Sequence, residues 1–353
     1  MRRKSINSVK GNEILAKDIY SNTDTILMAS GMVLKKEYIE KLKQLNVNYV
    51  YVEDNFPVEQ MDSETVEKRI HEQCQTAIRT VYDKFSYYGN VELKELSDVA
   101  YKVIVEVLKE PNVLYSVECV RQKQESLYMH CLNVCALAVL VGLKMKLPRA
   151  SIDDIAIGSV LHDIGYLYID IPYLSNGLIK QQDIDMQAIK KHVIYGYTEV
   201  ENEVWLSKKA KNIILSHHEF IDGSGYPLKL SADDLDIETK IVTVCDQFDS
   251  LIYGNMVAQM KNHEAIEYII SQAGTKFDSN VVDAFKYSVA AYPNGSQVIT
   301  SDGDIAVVID QNVDFPTRPI IKLLKNSEGI PYNPSVVKNL VSELSLFIDD
   351  IIE

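Results

Sequence analysis

The spacing of hydrophobic and polar positions changes character twice along the chain. Over residues 1 to about 60, strand-like stretches at Glu13 to Ala16, Thr25 to Met28 and Tyr49 to Val52 surround one helical pattern from Lys35 to Leu45, which predicts a small α/β module. From Ser63 to about Tyr287 apolar residues recur at steps of three and four, the mark of a helix bundle. Helix starts are expected at Asp62-Ser63 and Asp153-Asp154, and breaks at Pro111, Pro148, Pro172 and Gly223. After Tyr292-Pro293 the period shortens again. Gln297 to Thr300, Asp304 to Ile309 and Pro319 to Leu324 read as short strands separated by Asn-Gly, Asp-Gly and Asn-Ser turns. The fold class is therefore mainly α: a small N-terminal α/β module (1–60), a helical connector (61–117), the main helical domain (118–290) and a small β-rich C-terminal appendage (291–353).

Size fits this division, since 353 residues exceed what one hydrophobic core usually organises. A net charge of -14 argues against long nucleic acid as a partner, because phosphate-backbone binding needs clustered Lys and Arg. The longest uninterrupted apolar run, Val134 to Leu143, is about half of a bilayer span, and Met1 to Lys17 lacks a signal-peptide core. No membrane span and a cytoplasmic location are expected. Cys74, Cys119, Cys131, Cys135 and Cys245 form no CxxC pair and read as reduced core thiols. Arg2, Arg3 and Lys4 read as a solvated terminus.

The chemistry lies in the histidines, five of seven of which fall between positions 130 and 218 on apolar helix faces. His130 shares a face with Val134, Leu137 and Val141. His162 follows Ile155 and Ser159, and Asp163 follows Ala156 and Val160. His192 lies with Ile189, Val193 and Gly196, and Ala210, Ile213, Ile214, His217 and His218 share one stripe. Val242, Asp246 and Asp249 form another. One inward histidine is usually a hydrogen-bonded core residue. Five of them together with Asp163 and Asp246 would each cost a few kcal/mol to bury unpaired, about what a shared metal ion offsets. Imidazole with carboxylate suits iron, manganese or zinc better than magnesium or calcium, and no Cys joins the set.

The run His130-Cys-Leu-Asn133-Val134, then Leu161-His-Asp-Ile-Gly165, His192 with Gly196, His217-His-Glu-Phe-Ile-Asp222-Gly-Ser-Gly-Tyr226-Pro227 and Cys245-Asp246-Gln-Phe-Asp249, closed by Ala273 to Asp278, resembles the HD-GYP subgroup of HD-domain phosphohydrolases. The resemblance covers about Glu118 to Lys286, and the HHExxDGxGYP element is highly specific. It implies an HD-type bundle with two divalent metal ions, iron or manganese first, zinc, nickel or magnesium as alternatives. One ion goes to His130, His162, Asp163 and Asp246, the other to His192, His217 and His218, with Asp163 bridging and the His162-Asp163 pair at the catalytic centre. Two cations so bridged give a hydroxide at neutral pH that attacks phosphorus in line. The family's third-metal Glu is Ser126 here, with Glu125 one position away. Gly225 and Tyr226 would contact substrate, although plain turn glycines explain Gly223 and Gly225 equally well. Asp222 is expected as a local acceptor in a Gly-rich turn, and Asp249 as the partner that orients a ligand.

The chain departs from the family at its phosphate contacts. Tyr166 stands where the family has Lys after His-Asp-x-Gly, placing a phenol beside the substrate in place of a cation. Asn255-Met-Val-Ala258 stands where it has Arg-x-Tyr-Lys/Arg. The loop after Ile171-Pro172 keeps Asn176-Gly177 and Lys180, and Lys180, Lys190 and Lys191 are candidates to replace the lost charge. Three functions fit. The first is a phosphodiesterase opening cyclic di-GMP to linear pGpG and on to GMP. The others are a phosphohydrolase for another cyclic dinucleotide, and a cyclic-dinucleotide receptor with little or no turnover. A homo-oligomer contact or signalling partner is expected through the N-terminal module.

Overall fold

A computed structural model of the chain describes residues 2–6, 9–16, 18–20, 26–44, 47, 49–52, 69–70, 73–74, 76–78, 80–81, 93–109, 114–115, 126–169, 186–253 and 259–352. The N-terminal part holds β1 (Arg2–Ser5), β2 (Ile19–Tyr20), β3 (Ile26–Met28), α1 (Lys36–Gln44) and β4 (Tyr49–Val52). β1 pairs antiparallel with β4, and β2 with β3. Leu15, Ile19, Met28, Leu34, Ile39, Leu42, Val50 and Val52 close its core. Two expectations change. Arg2 to Lys4 are not a loose tail but a strand: its backbone bonds β4, and Lys4 forms an ion pair with Glu13. Glu13 to Ala16 contributes only isolated bridges, Ile14 to Val33 and Leu15 to Val52, because Glu13 turns back to bind the backbone N–H groups of Lys10, Gly11 and Asn12.

The main domain is a bundle of α2 (Glu95–Lys109), α3 (Ser126–Lys144), α4 (Arg149–Leu161), a 3-10 segment (Ile164–Tyr168), α5 (Met186–Ile189), α6 (His192–Val200), α7 (Lys208–Ser216), α8 (Ile237–Tyr253), α9 (Asn262–Ser271) and α10 (Ser279–Lys286). α3 is its axis, touching α2, α4, α8 and α10. That position explains its composition: a helix covered all round must be apolar all round. Its stretch Leu127–Lys144 is long and apolar enough to cross a membrane by length and composition, yet most of it is buried inside the bundle. α4 begins at Arg149 behind Pro148, so the expected start at Asp153-Asp154 is overturned. Proline fixes the entry dihedral and needs no N–H there. The two aspartates sit inside the helix, Asp153 on Arg149 at 2.8 Å and Asp154 on the Ser207 hydroxyl at 2.5 Å. Expectations at Asp62-Ser63, Pro111, Pro172, Cys119, Glu125, Asn176-Gly177, Lys180 and 255–258 lie outside the described residues. The other four cysteines are buried.

Tyr115 ties the segment before α3 to the end of the bundle, its backbone N–H donating to Ser288 at 2.7 Å and its carbonyl accepting from Ala290 at 2.9 Å. The C-terminal part is one antiparallel sheet of β5 (Gln297–Thr300), β6 (Ile305–Asp310), β7 (Ile320–Lys325), β8 (Pro331–Asn339) and β9 (Ile348–Ile351), in the order β8-β7-β6-β5-β9. Val298, Ala306, Val308, Ile321, Leu323 and Leu340 form its core, and Lys261 of the bundle reaches Asp350 at 3.1 Å. The three expected strands are present to within a residue. β8 carries Pro331 and Pro334, which argue against a strand in sequence but are tolerated at a sheet edge.

Candidate metal centre

Each candidate ligand is placed by an element end or a buried helix face. His130 lies in the second turn of α3, His162 caps α4, His192 opens α6, His217 caps α7 and Asp246 lies mid-way along α8. α7 closes at Ser216, and His217 carries its buried stripe one residue further, with helical dihedrals and its N–H on the Ile213 carbonyl. The turn still points both inward, His217 fully buried and His218 about a quarter exposed.

The unused ring nitrogens fix what each histidine offers. The Nδ1–H of His162 donates to the Ser159 carbonyl at 2.7 Å, that of His192 to Ile189 at 2.8 Å and that of His217 to Ile213 at 3.1 Å. His130 Nδ1 lies 2.6 Å from Asp249 Oδ2. Four Nε2 atoms therefore converge on the same space: His130 and His162 are 3.1 Å apart, His192 and His217 3.3 Å. Between them lies Asp163. Its Oδ1 is 3.4 Å from His192 Nε2 and 3.5 Å from His217 Nε2, while its Oδ2 is 3.5 Å from His130 and 3.4 Å from His162. Asp246 sets Oδ1 3.0 Å from His130 Nε2 and Oδ2 3.5 Å from His218 Nδ1.

Two groups result, His130 with His162 and Asp246, and Asp163 with His192, His217 and His218. Donors about 2.1 Å from a common cation lie roughly 3.0–3.5 Å from each other, so these separations fit metal binding. Electrostatics agrees for three of the histidines. Burial lowers the pKa of His162 and of His192 to about 4, and holds His218 well below its usual value with help from His217. Their lone pairs are free at neutral pH. Burial opposes protonation of His130 as well, but hydrogen bonds to Asp246 and Asp249 prevail and raise it to about 10. Burial would also neutralise Asp163 and Asp246; the surrounding histidines hold both well below the usual carboxylate range.

Two tyrosines roof the cluster. Tyr166 lies flat on His192, ring centroids 4.2 Å apart and planes at 11°, and Tyr226 covers His218 at 4.8 Å and 25°. Burial, then the nearby carboxylates, pushes both phenols well above the usual range, so each remains an O–H donor.

A family model described as "HD domain" matches residues 113–281, and one described as "KOW domain associated with HD domain" matches 297–353. A cyclic di-GMP phosphodiesterase of Pseudomonas aeruginosa is 28% identical over 70% of this chain and 60% of its own length. One of Borreliella burgdorferi is 27% identical over 58% of this chain and 54% of its own. This chain thus spans between about half and three fifths of those relatives. Residues 113–281 thus form an HD domain. A solved HD-GYP-type protein from Bdellovibrio bacteriovorus shares the fold, with a TM-score of 0.52 and 17% identity over 81% of this chain and 98% of the other.

Within this HD domain, the other expected site residues fall as follows. Asp222 accepts from the Ser224 N–H at 2.9 Å, the Asx turn expected of it, and its bond shapes the turn rather than a histidine. Asp249 grips His130 and accepts from Asn133 Nδ2 at 2.9 Å, whose Oδ1 in turn accepts from Tyr115 O–H at 3.1 Å. Gly225 has a packing reason: a Cβ there would lie 2.4 Å from the Glu219 Cα and 2.5 Å from the His218 carbonyl. Sequence reasoning passed over two residues. Asn133 extends the hydrogen-bonded line behind His130. Glu219, 1% exposed, accepts the backbone N–H groups of Leu228 at 2.6 Å, Lys229 at 2.8 Å and Leu230 at 3.1 Å, folding the loop that sets Tyr226 over His218. An acidic residue buried beside a histidine pair and followed by a glycine-rich turn was the available signal.

Proposed function

We propose that this chain is a metal-dependent phosphodiesterase that opens cyclic di-GMP to linear pGpG and carries it on to GMP, and that it works in the cytoplasm. The observation that carries the reading is Asp163, whose two oxygens each face a separate pair of converging imidazole nitrogens. His130, His162 and Asp246 would hold one divalent ion and His192, His217 and His218 the other, iron or manganese fitting the donor set best. Bound there, the ions supply Lewis acidity towards water and phosphate oxygens that an acidic protein otherwise lacks. The protein's own part is placement. Asp249 and the carbonyls of Ser159, Ile189 and Ile213 aim the imidazoles, and Tyr166 and Tyr226 wall the site with neutral O–H donors. Similarity to two cyclic di-GMP phosphodiesterases supports this substrate. In this reading residues 1–60 serve as a sensor or structural module, 61–117 as a connector, 118–290 as the phosphohydrolase and 291–353 as an appendage.

The test is incubation of the 353-residue chain, reconstituted anaerobically with Fe(II) or Mn(II), with cyclic di-GMP and with other cyclic dinucleotides, products being resolved chromatographically. Linear product from cyclic di-GMP at the highest rate is expected. A faster competing substrate, or tight binding without product, would contradict the assignment.

A further inference from the structure

The nucleotide of the proposed reaction is a dianion, and at Tyr166 the site presents it with a phenol rather than a cation. Among the described residues, Lys190 stands beside the tyrosine that covers His218. Lys190 lies in the turn between α5 and α6, its N–H bonded to the Met186 carbonyl at 3.1 Å, two residues before His192. The same turn supplies the Ile189 carbonyl that orients His192, so the lysine's position is tied to the metal cluster through backbone. Its ammonium lies 5.1 Å from the centre of the Tyr226 ring, which itself covers His218. Among the described residues no carboxylate forms an ion pair with it, and the side chain is only partly buried. Its neighbour Lys191 is exposed.

We infer that Lys190 is a substrate-binding residue that supplies the phosphate-binding cation this chain lacks at Tyr166, holding a phosphodiester oxygen of the bound nucleotide against the face of Tyr226. The inference rests on the phosphodiesterase reading. An ammonium carries three hydrogens, so contact with an aromatic ring leaves others to donate to an incoming anion. A purely structural cation–π contact would instead stabilise the turn and leave nucleotide affinity alone.

The test compares wild type with Lys190→Ala, Lys190→Arg and Lys191→Ala in the metal-reconstituted chain. It reads the dissociation constant of a phosphorothioate analogue of cyclic di-GMP at low and high salt, and melting temperature alongside. Lys190→Ala should weaken the analogue roughly tenfold or more and flatten the salt dependence, since hydrogen bonds to charged groups are of that strength. Lys190→Arg should recover most of the loss, and Lys191→Ala should bind as wild type. Wild-type affinity in Lys190→Ala, or a loss that Lys190→Arg shares in full, overturns the inference and leaves the phosphodiesterase reading standing. A wild-type chain with neither affinity nor turnover for any cyclic dinucleotide overturns both.

Discussion

Asp249 shows how much of a metal site lies behind its ligands. It contributes no atom to the space between the imidazoles, yet it grips His130 at 2.6 Å and is itself held by Asn133. Asp249→Asn keeps the shape and removes the charge that sets the His130 ring, so metal affinity should fall about 10- to 100-fold while circular dichroism is unchanged. A competition titration that finds equal affinity would make Asp249 merely structural. A second residue-scale prediction concerns Glu13. Burial opposes its ionisation, but the bonds from Lys4, Lys10 and Gly11 prevail and lower its pKa from 4.5 to about 2. Because the folded value lies below the unfolded one, the ionised group stabilises fully above about pH 4.5, and that stabilisation disappears as pH falls towards 2. Glu13→Gln should therefore cost about 1–2 kcal/mol in urea unfolding at neutral pH, and the gap from wild type should narrow below about pH 4.5 and close towards pH 2. A gap that widens in acid would contradict the assignment.

At the scale of elements, the site depends on the close approach of the 3-10 segment to α6. A Cβ on Gly165 would sit 1.9 Å from the His192 carbonyl oxygen and 2.6 Å from the Gly196 nitrogen, so backbone must move if any side chain is added. Gly165→Ala should cost roughly 2 kcal/mol or more and pull His192 away from Asp163, seen as a lower melting temperature together with a loss of bound metal. An unchanged melting temperature and metal content would show that the approach is not needed. The elements that sequence revealed are those whose periodicity has one cause. α1, α7 and strands β5 and β7 each bury one face, and the pattern shows it. The start of α4 was obscured because Asp153 and Asp154, good capping residues by type, pair with Arg149 and Ser207 instead. β1 was hidden by its charge, since Arg2 to Lys4 are paired through backbone, which composition does not report. β8 was hidden by its prolines. The histidines and aspartates of the cluster were legible because buried polar groups at helical spacing are conspicuous. Glu219 and Asn133 were not, because their partners are backbone groups and side chains far along the chain.

At the scale of the whole molecule, the bundle brings together groups from α3, α4, α6, α7 and α8, spread over more than a hundred residues. The paired Asp163 oxygens are the point at which the two halves meet. The most direct measurement is the metal content and cyclic di-GMP turnover of one anaerobically reconstituted sample of wild type beside Asp163→Ala. Two ions per chain with linear product in wild type, and loss of both bound metal and product in Asp163→Ala, is the predicted result. An Asp163→Ala protein that keeps two ions and turns over cyclic di-GMP like wild type would contradict the account.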